Sequence, residues 1–493
     1  MSERRTLVVG SGAGGLTLAL LLARAGRPVT LIEQQPEIGG YLRRFTRDGL
    51  RFDTGYHFSG GFNGVMRQMT RVLGIDDRIS AEPITNRIVL EESGDDLLLE
   101  AGCGLSGTEE TLCRHFPVEA AGVRRLTAAI REIWEETPMH DLRDLAPLEL
   151  KISRYDLTTV REFCDSLGLS RAAETAAGSF AMCHGTPIAD APMTFHGRIG
   201  FSLYDRLSRP YGGGDPMLEA FRREAAKLGI EIRTGTVLRK FPDADFNGEC
   251  HEARLSDDST LAVDQVFFAA HPRTICELLP DNLLPPSFRR RVRRFRESTA
   301  FFCAYYTFDA DLPVKSGLVS YFSCNDLDTI LRDTGGHSTG FLIDRETDRL
   351  GRLRGTVAAF RTMRETDTRF AVPHRERLEM PEYQEFKERI TGEITAELES
   401  VVPELKGRLH PVAAGSPLTC LDYDPPTGSA YGVCCVCGES RLCGRLPVGN
   451  IHLAGQSALV PGVMGTMLTS FTVFRLAVGE ETYRRLIRAS GIA

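Results

Sequence analysis

The sequence predicts an α/β protein of Rossmann type, and two glycine-rich stretches at opposite ends of the chain carry that prediction. Near the N-terminus, residues 7–9 read as a strand, Gly10-Ser11-Gly12-Ala13-Gly14-Gly15 as a tight turn and residues 16–25 as a helix. Residues 29–32 then read as a second strand that ends at Glu33. Near the C-terminus, residues 450–454 read as a strand leading into Gly455-Gln456. Val460-Pro461-Gly462-Val463-Met464-Gly465 then opens a last helix, expected to run to about residue 487.

Each part of the first stretch has a physical role. Gly10 permits the tight turn, Gly12 lets the backbone approach a pyrophosphate, and Gly15 allows close packing of helix on sheet. The free N–H groups and the positive end of the helix dipole face the phosphates. Glu33, followed by Gln34, lies roughly 20 residues beyond the glycines, where an acid accepts hydrogen bonds from a ribose. A carboxylate there disfavours a 2′-phosphate. At the other end, Gly455 and Gly462 make a glycine turn at a helix N-terminus, again with backbone donors and a positive dipole.

The bulk composition fits this reading. A chain of 493 residues exceeds one ordinary core and is expected to divide into two or more domains. A hydrophobic content of 42% with 25% charged residues is that of a globular protein. The net charge of −7 argues against nucleic acid as a partner. The first strand starts almost at Met1, so no signal peptide is expected. The apolar run over 16–25 is too short to span a bilayer. Thirteen cysteines without framework spacing suggest reduced thiols and a cytoplasmic location. Cys434-Cys435-x-Cys437, with Cys443 nearby, lacks separated Cys-x-x-Cys pairs or close histidines, so no metal is expected.

Between the two ends, Gly39-Gly40-Tyr41-Leu42-Arg43 follows the acid, and Asp48-Gly49-Leu50-Arg51-Phe52-Asp53-Thr54-Gly55-Tyr56-His57 follows that. The glycine pair would let the backbone pass beside a cofactor; an ordinary loop followed by a hairpin reads equally well. A helix is expected over 63–73, a hairpin over 87–100, and mainly helix over 118–178. Gly102-x-Gly104-x-x-Gly107 mimics the dinucleotide turn, but Glu109 and Glu110 fill the first helical turn and no acid-ended strand follows. Further on, a helix is expected to end near 228, with strands over 230–233, 237–241, 265–270, 301–308 and 317–322. A long helix is expected over 376–398. Residues 286–296 hold six arginines, with Phe288, Val292 and Phe295 on one helical face. Such a helix suits peripheral contact with an anionic membrane surface, or a solvated helix packed through its three apolar residues.

Gly39-Gly40 followed by Asp48-Gly49-x-x-Phe52-Asp53-x-Gly55 resembles the cofactor entry of the phytoene desaturase superfamily. That group includes phytoene desaturases, carotenoid isomerases and retinol saturases, and is related more distantly to flavin amine oxidases. His184-Gly185-x-Pro187, Pro210-x-Gly212-Gly213, the strand bearing Val237, Gly428–Gly432 and Gly455-Gln456 resemble its retinol-saturase-like branch. The resemblance implies FAD as cofactor, held by Gly10, Ser11, Gly12, Ala13, Gly14, Gly15, Glu33, Gln34, Gly40, Tyr41, Arg43, Gly55, His57, Val237, Gly455, Gln456, Gly462 and Met464. Tyr41 stands where many members carry an arginine near the pyrophosphate, which passes that role to Arg43 or Arg44, or to no side chain. Gln456 stands where a Gly-Asp acid is commoner.

The resemblance also implies a discontinuous FAD-binding domain from residues 1–60, 210–300 and 440–493, with an inserted α+β substrate domain from 61–209 and 301–439. The expected reaction is saturation of a C=C bond in a lipophilic polyene or isoprenoid, drawing on an unidentified electron donor. Desaturation or cis–trans isomerisation is the alternative, with amine oxidation more distant. A prenyl-lipid-binding protein of the same fold is the non-enzymatic alternative. His57, His184 and Tyr431 are the candidate proton donors.

Overall fold

The structure is a computed structural model and describes residues 5–137, 140–145, 153–332, 335–364, 370–423, 426–439, 442 and 444–492. Cys443 lies outside the described residues.

A five-stranded parallel sheet has the spatial order Ile451–Leu453, Gln265–Phe268, Thr6–Val9, Val29–Ile32, Glu231–Arg233. Its strands read as unbroken apolar runs because both faces are covered: Val8, Leu31, Phe267 and Phe268 are all buried. On one face lies the helix Ala13–Arg24, whose Leu16 and Leu18 to Leu22 are buried. The helix Gly462–Val478 packs directly on it. A Cβ on Gly14 would fall 2.7 Å from Thr466 Cγ2, and Ser470 Oγ donates to the Gly14 carbonyl at 3.0 Å. The two glycine stretches therefore meet in space although they open and close the chain.

The other face is covered by Pro272–Leu278 and the arginine-rich helix Pro286–Arg293. Val292 is fully buried, and Phe288 and Phe295 pack against a cluster containing Leu7, Ile32, Val266 and Leu453. The apolar face of this helix is thus spent on the protein's own core, while Arg290, Arg291, Arg293 and Arg294 stay exposed.

A seven-stranded mixed sheet has the order His410–Gly415, Ala300–Asp309, Leu353–Met363, Ser338–Thr347, Gly317–Phe322, Asn86–Leu90, Asp95–Leu99. Only the pair Asn86–Leu90 with Gly317–Phe322 is parallel. Side chains alternate between its faces. Phe302, Ala304, Tyr306 and Phe308 pack against Ile390, Ile394 and Leu398 of the helix Pro381–Val401. Phe301, Cys303 and Tyr305 therefore face the opposite way, as do Ala358 and Phe360 of the neighbouring strand.

Two expectations change, and the rejection of the Gly102–Gly107 turn is matched by its setting. The helix expected over 376–398 is two, His374–Leu378 and Pro381–Val401. Pro381 has no N–H to donate and holds Met380 extended, so it starts a helix rather than continuing one. The final helix breaks at Gly479, where φ is +83°, into Gly462–Val478 and Glu480–Ala489. The Gly102–Gly107 turn follows Asp95–Leu99, an antiparallel edge strand, and so lacks the parallel unit of a dinucleotide site. No helix among the described residues is long and apolar enough to cross a membrane.

Candidate active site

The N-terminal turn forms one wall of a cradle. A Cβ on Gly15 would lie 1.9 Å from the Gly10 carbonyl oxygen, so the helix can start where it does only with glycine there. Gly12 caps the helix with no side-chain hydrogen bond and no acid in the first turn, and a Cβ on it would meet nothing within 4 Å. The helix N-terminus therefore opens on free space with its N–H donors unused by capping side chains, which suits a pyrophosphate. Gly39 N–H donates to the Ser11 carbonyl (3.0 Å). A Cβ on Gly40 would approach Gly12 Cα to 3.1 Å, so the glycine pair forms the adjoining wall. Gly55 lies against the ring of Tyr41.

Glu33 closes one end. Its Oε2 accepts from Ser11 N–H (2.8 Å) and Ser11 Oγ (2.6 Å), and its Oε1 from Gln35 N–H (2.8 Å). Thr236 N–H donates to the Glu33 carbonyl (2.8 Å), which brings the exposed Val237 beside the acid. Gln34 Nε2 donates to the Tyr423 carbonyl (3.3 Å), and the Arg43 guanidinium lies over the Tyr423 ring. At the other end, Gly455 (φ +80°) touches the backbone of Ala269, and Gly462 (φ +77°) opens on free space. The helix at Gly462 has neither a capping side chain nor a first-turn acid. Met464 packs over Gly61. Two open helix N-termini, an anchored carboxylate and a Cβ-free floor fit a dinucleotide cofactor.

Arg44, offered by the sequence as a phosphate partner, is engaged elsewhere. It is buried and pairs with Asp53 (2.9 Å) and with Glu346. Arg209 binds Asp53 (2.5 Å) and Asp344 (2.9 Å), and also donates to the His57 carbonyl (2.9 Å). Removing one partner of such a buried pair typically costs about 3–5 kcal/mol, because the other charge stays buried and unpaired.

Beside the cradle lies a slot. His57 stacks on Phe360 with centroids 4.9 Å apart, and Phe301 meets both Phe360 and Tyr431 edge-on at 6.2 Å. Tyr431 keeps free surface, yet burial drives its phenol well above the ordinary range. Cys183 and Cys303 flank it, and both thiols are pushed up by burial. A Cβ on Gly432 would strike Ser457 Oγ and come within 3.4 Å of Gln456 Cγ, so the Tyr431 loop abuts the closing glycine turn. The His57 side chain is only 11% exposed, and its Nδ1 is 4.0 Å from Asp53. Burial lowers its pKa to about 4, against the opposing pull of Asp53, so the ring is neutral near pH 7.

His184 is placed differently. Its Nδ1 accepts from Thr186 N–H (3.2 Å), which puts the proton on Nε2, 3.2 Å from His196 Nδ1. Both ring nitrogens are thus engaged, leaving neither for a reacting carbon. Burial depresses the His196 pKa to about 4 and that of His184 in the same direction. Unfolded histidine titrates near 6.5, so the unfolded chain takes up protons first. Stability is expected to fall as pH drops from about 6.5 towards 4, by roughly 1–2 kcal/mol per buried histidine at about pH 5. Denaturant titrations at pH 7.5 and 5 check this; an unchanged midpoint would contradict it.

The slot residues Phe301, Cys303 and Phe360 escaped the sequence reading, although strand alternation was the signal that puts them on one face. Arg209, one residue before the Pro210-x-Gly-Gly motif, was also missed. Cys434 and Cys437 are free thiols.

With this geometry, the comparisons with known proteins agree. The chain is 21% identical over 523 aligned residues to the all-trans-retinol 13,14-reductase of Danio rerio, covering 94% of this chain and 84% of that one. It is 25% identical over 314 residues to the phytoene desaturase of Fusarium fujikuroi, covering 59% and 53% of the two chains. Its fold matches that of putrescine oxidase with a TM-score of 0.63 at 16% identity, over 96% of this chain and 98% of that one. Residues 13–470 match the family described as flavin containing amine oxidoreductase. The protein is therefore an enzyme, not a lipid-binding relative without chemistry; it belongs to the flavin containing amine oxidoreductase family, within the phytoene desaturase and retinol saturase superfamily, and uses FAD.

Proposed function

We propose that this enzyme reduces a conjugated C=C bond in a lipophilic polyene or isoprenoid. The observation that carries the reading is the character of the slot: Phe58, Cys183, Phe301, Cys303, Phe360 and Tyr431 offer aromatic and thiol surface, and the one histidine among them is neutral. Apolar walls with few polar groups suit an extended hydrocarbon. The similarity to a retinol reductase supports the same direction.

In this reading Gly10 to Gly15 present N–H donors to the pyrophosphate. Glu33, Gln34 and Val237 receive the adenosine end. Gly40, Tyr41, Arg43 and Gly55 line the middle, and His57, Gly455, Gln456, Gly462 and Met464 the far end. Residues 1–60, 210–300 and 440–493 form the cofactor unit, and 61–209 with 301–439 the substrate unit. FAD, once reduced by an electron donor, supplies the hydride equivalent. The chain's own part is to exclude water, to align the double bond against the wall that Phe301 and Phe360 form, and to hold a proton at Tyr431 Oη. That hydroxyl stays protonated at any working pH, and among the described residues no group hydrogen-bonds it. Desaturation, the reverse step, uses the same slot, and the similarity to a phytoene desaturase favours it as the second reading.

Titrating the oxidised holoenzyme with polyenes tests the slot: a shifted polyene band and a perturbed flavin band are expected. Bleaching of the flavin by primary amines, with every polyene silent, would contradict the reading.

A cytoplasmic location with peripheral contact to anionic lipid is part of the same proposal. With the apolar face of Pro286–Arg293 turned inward, the exposed Arg290, Arg291, Arg293 and Arg294 are offered for that contact, while the exposed Arg296 pairs with Asp190. Reversing these four charges is expected to abolish co-sedimentation with phosphatidylserine vesicles at low salt. Unchanged co-sedimentation would remove this helix from the contact.

A further inference from the structure

Away from the slot, a half-buried carboxylate joins segments that are far apart in sequence. Glu297 Oε2 accepts from Thr427 Oγ1, Ser429 Oγ and His271 Nε2, each at 3.2 Å. Its Oε1 lies 3.2 Å from Arg273 Nη2. The His271 bond has a defined polarity: its Nδ1 accepts from Arg273 N–H (3.2 Å), so the ring proton sits on Nε2 and is donated to the carboxylate. Burial pushes the Glu297 carboxyl up, but the hydrogen bonds from His271 and Ser429 and the charge of Arg273 outweigh it and leave it below its ordinary value.

What this carboxylate connects gives it a role. His271 lies two residues past Ala269, whose backbone touches both Gly10 and Gly455 in the cradle. Ser429 lies two residues before Tyr431. The residue next to Glu297 completes the hold: Tyr431 N–H donates to Ser298 Oγ (3.0 Å), and Ser298 N–H to the Gly432 carbonyl (2.9 Å). One side chain therefore fastens the Tyr431 loop to the strand end on which the cradle is built. The loop cannot slide without breaking both hydroxyl bonds to this buried carboxylate and the bonds it shares with Ser298.

We infer that Glu297 is a positioning residue, which sets the distance between Tyr431 and the cofactor cradle through Ser429 and His271. The inference rests on the reading of Tyr431 as proton donor.

The test uses the FAD-loaded enzyme and the variants E297A, E297Q, Y431F and E297A/Y431F. Hydrogen exchange at residues 429–433 is expected to quicken by about tenfold or more in E297A. E297Q, which keeps an acceptor for both hydroxyls, should lie between E297A and the parent. In polyene reduction, E297A should lower kcat with little change in KM. The double variant should lie within about threefold of Y431F alone, as expected for residues acting through one another. S429A substitutes for E297A if that variant fails to fold. Unchanged exchange over 429–433, or losses that multiply in the double variant, would overturn the inference while leaving the donor reading intact. A fully active Y431F would overturn the donor reading itself and the inference with it.

Discussion

Replacing Gly12 or Gly15 by alanine is expected to leave the purified protein without FAD, but for two different reasons. A methyl on Gly15 would sit 1.9 Å from the Gly10 carbonyl oxygen. That oxygen is backbone, on a residue already at φ +92° and joined by its N–H to Ile32 (2.9 Å), so it cannot yield without dislodging the sheet. G15A should lose both flavin and fold. A methyl on Gly12 meets no protein atom within 4 Å. It intrudes only on the space where a pyrophosphate approaches the helix N-terminus. G12A should therefore fold with the thermal stability of the flavin-free parent and bind FAD at least about a hundredfold more weakly, a loss of roughly 2.7 kcal/mol. Flavin absorbance after gel filtration, with thermal unfolding in parallel, separates the two. A yellow, stoichiometrically loaded G12A would mean that the cradle lies elsewhere.

Tyr431→Phe is expected to lower kcat for polyene reduction by about 10²–10⁴-fold, the usual contribution of a positioned acid. FAD content should be unchanged, because the phenol oxygen is the only atom removed. The pH profile distinguishes Tyr431 from His57. The phenol titrates far above neutrality, so a Tyr431-dependent rate should show no acid limb from His57. Burial holds the His57 pKa at about 4. Were its imidazolium the donor, the rate would climb as pH fell towards that value. A Y431F enzyme with parental kcat and a rate rising into acid would transfer the role to His57.

Residues 6 to 33 could be read directly because each job in that stretch is local. The strand, turn, helix and acid lie next to one another, and Gly15 answers to Gly10 only five residues away. The closing turn at Gly455 and Gly462 was legible for the same reason. The helix breaks at Pro381 and Gly479 were visible as residue types, but apolar periodicity running through both masked them. The slot could not be read this way. Phe301 and Phe360 become neighbours only when Ala300–Asp309 pairs with Leu353–Met363. Arg44 remained open as a phosphate ligand because one of its two carboxylate partners, Glu346, is 302 residues distant, and nothing in the sequence shows that Asp53 turns towards it. His184 was taken for a candidate donor since nothing in the sequence shows that His196 occupies its remaining nitrogen.

Anaerobic single turnover bears most directly on the proposed chemistry. Photoreduced enzyme mixed with a candidate polyene in the absence of oxygen is expected to return to the oxidised flavin spectrum, yielding a product about two mass units heavier, the mass of the hydride and proton added. Flavin that stays reduced until air is admitted, with every polyene recovered unchanged, would contradict the assignment as a C=C reductase.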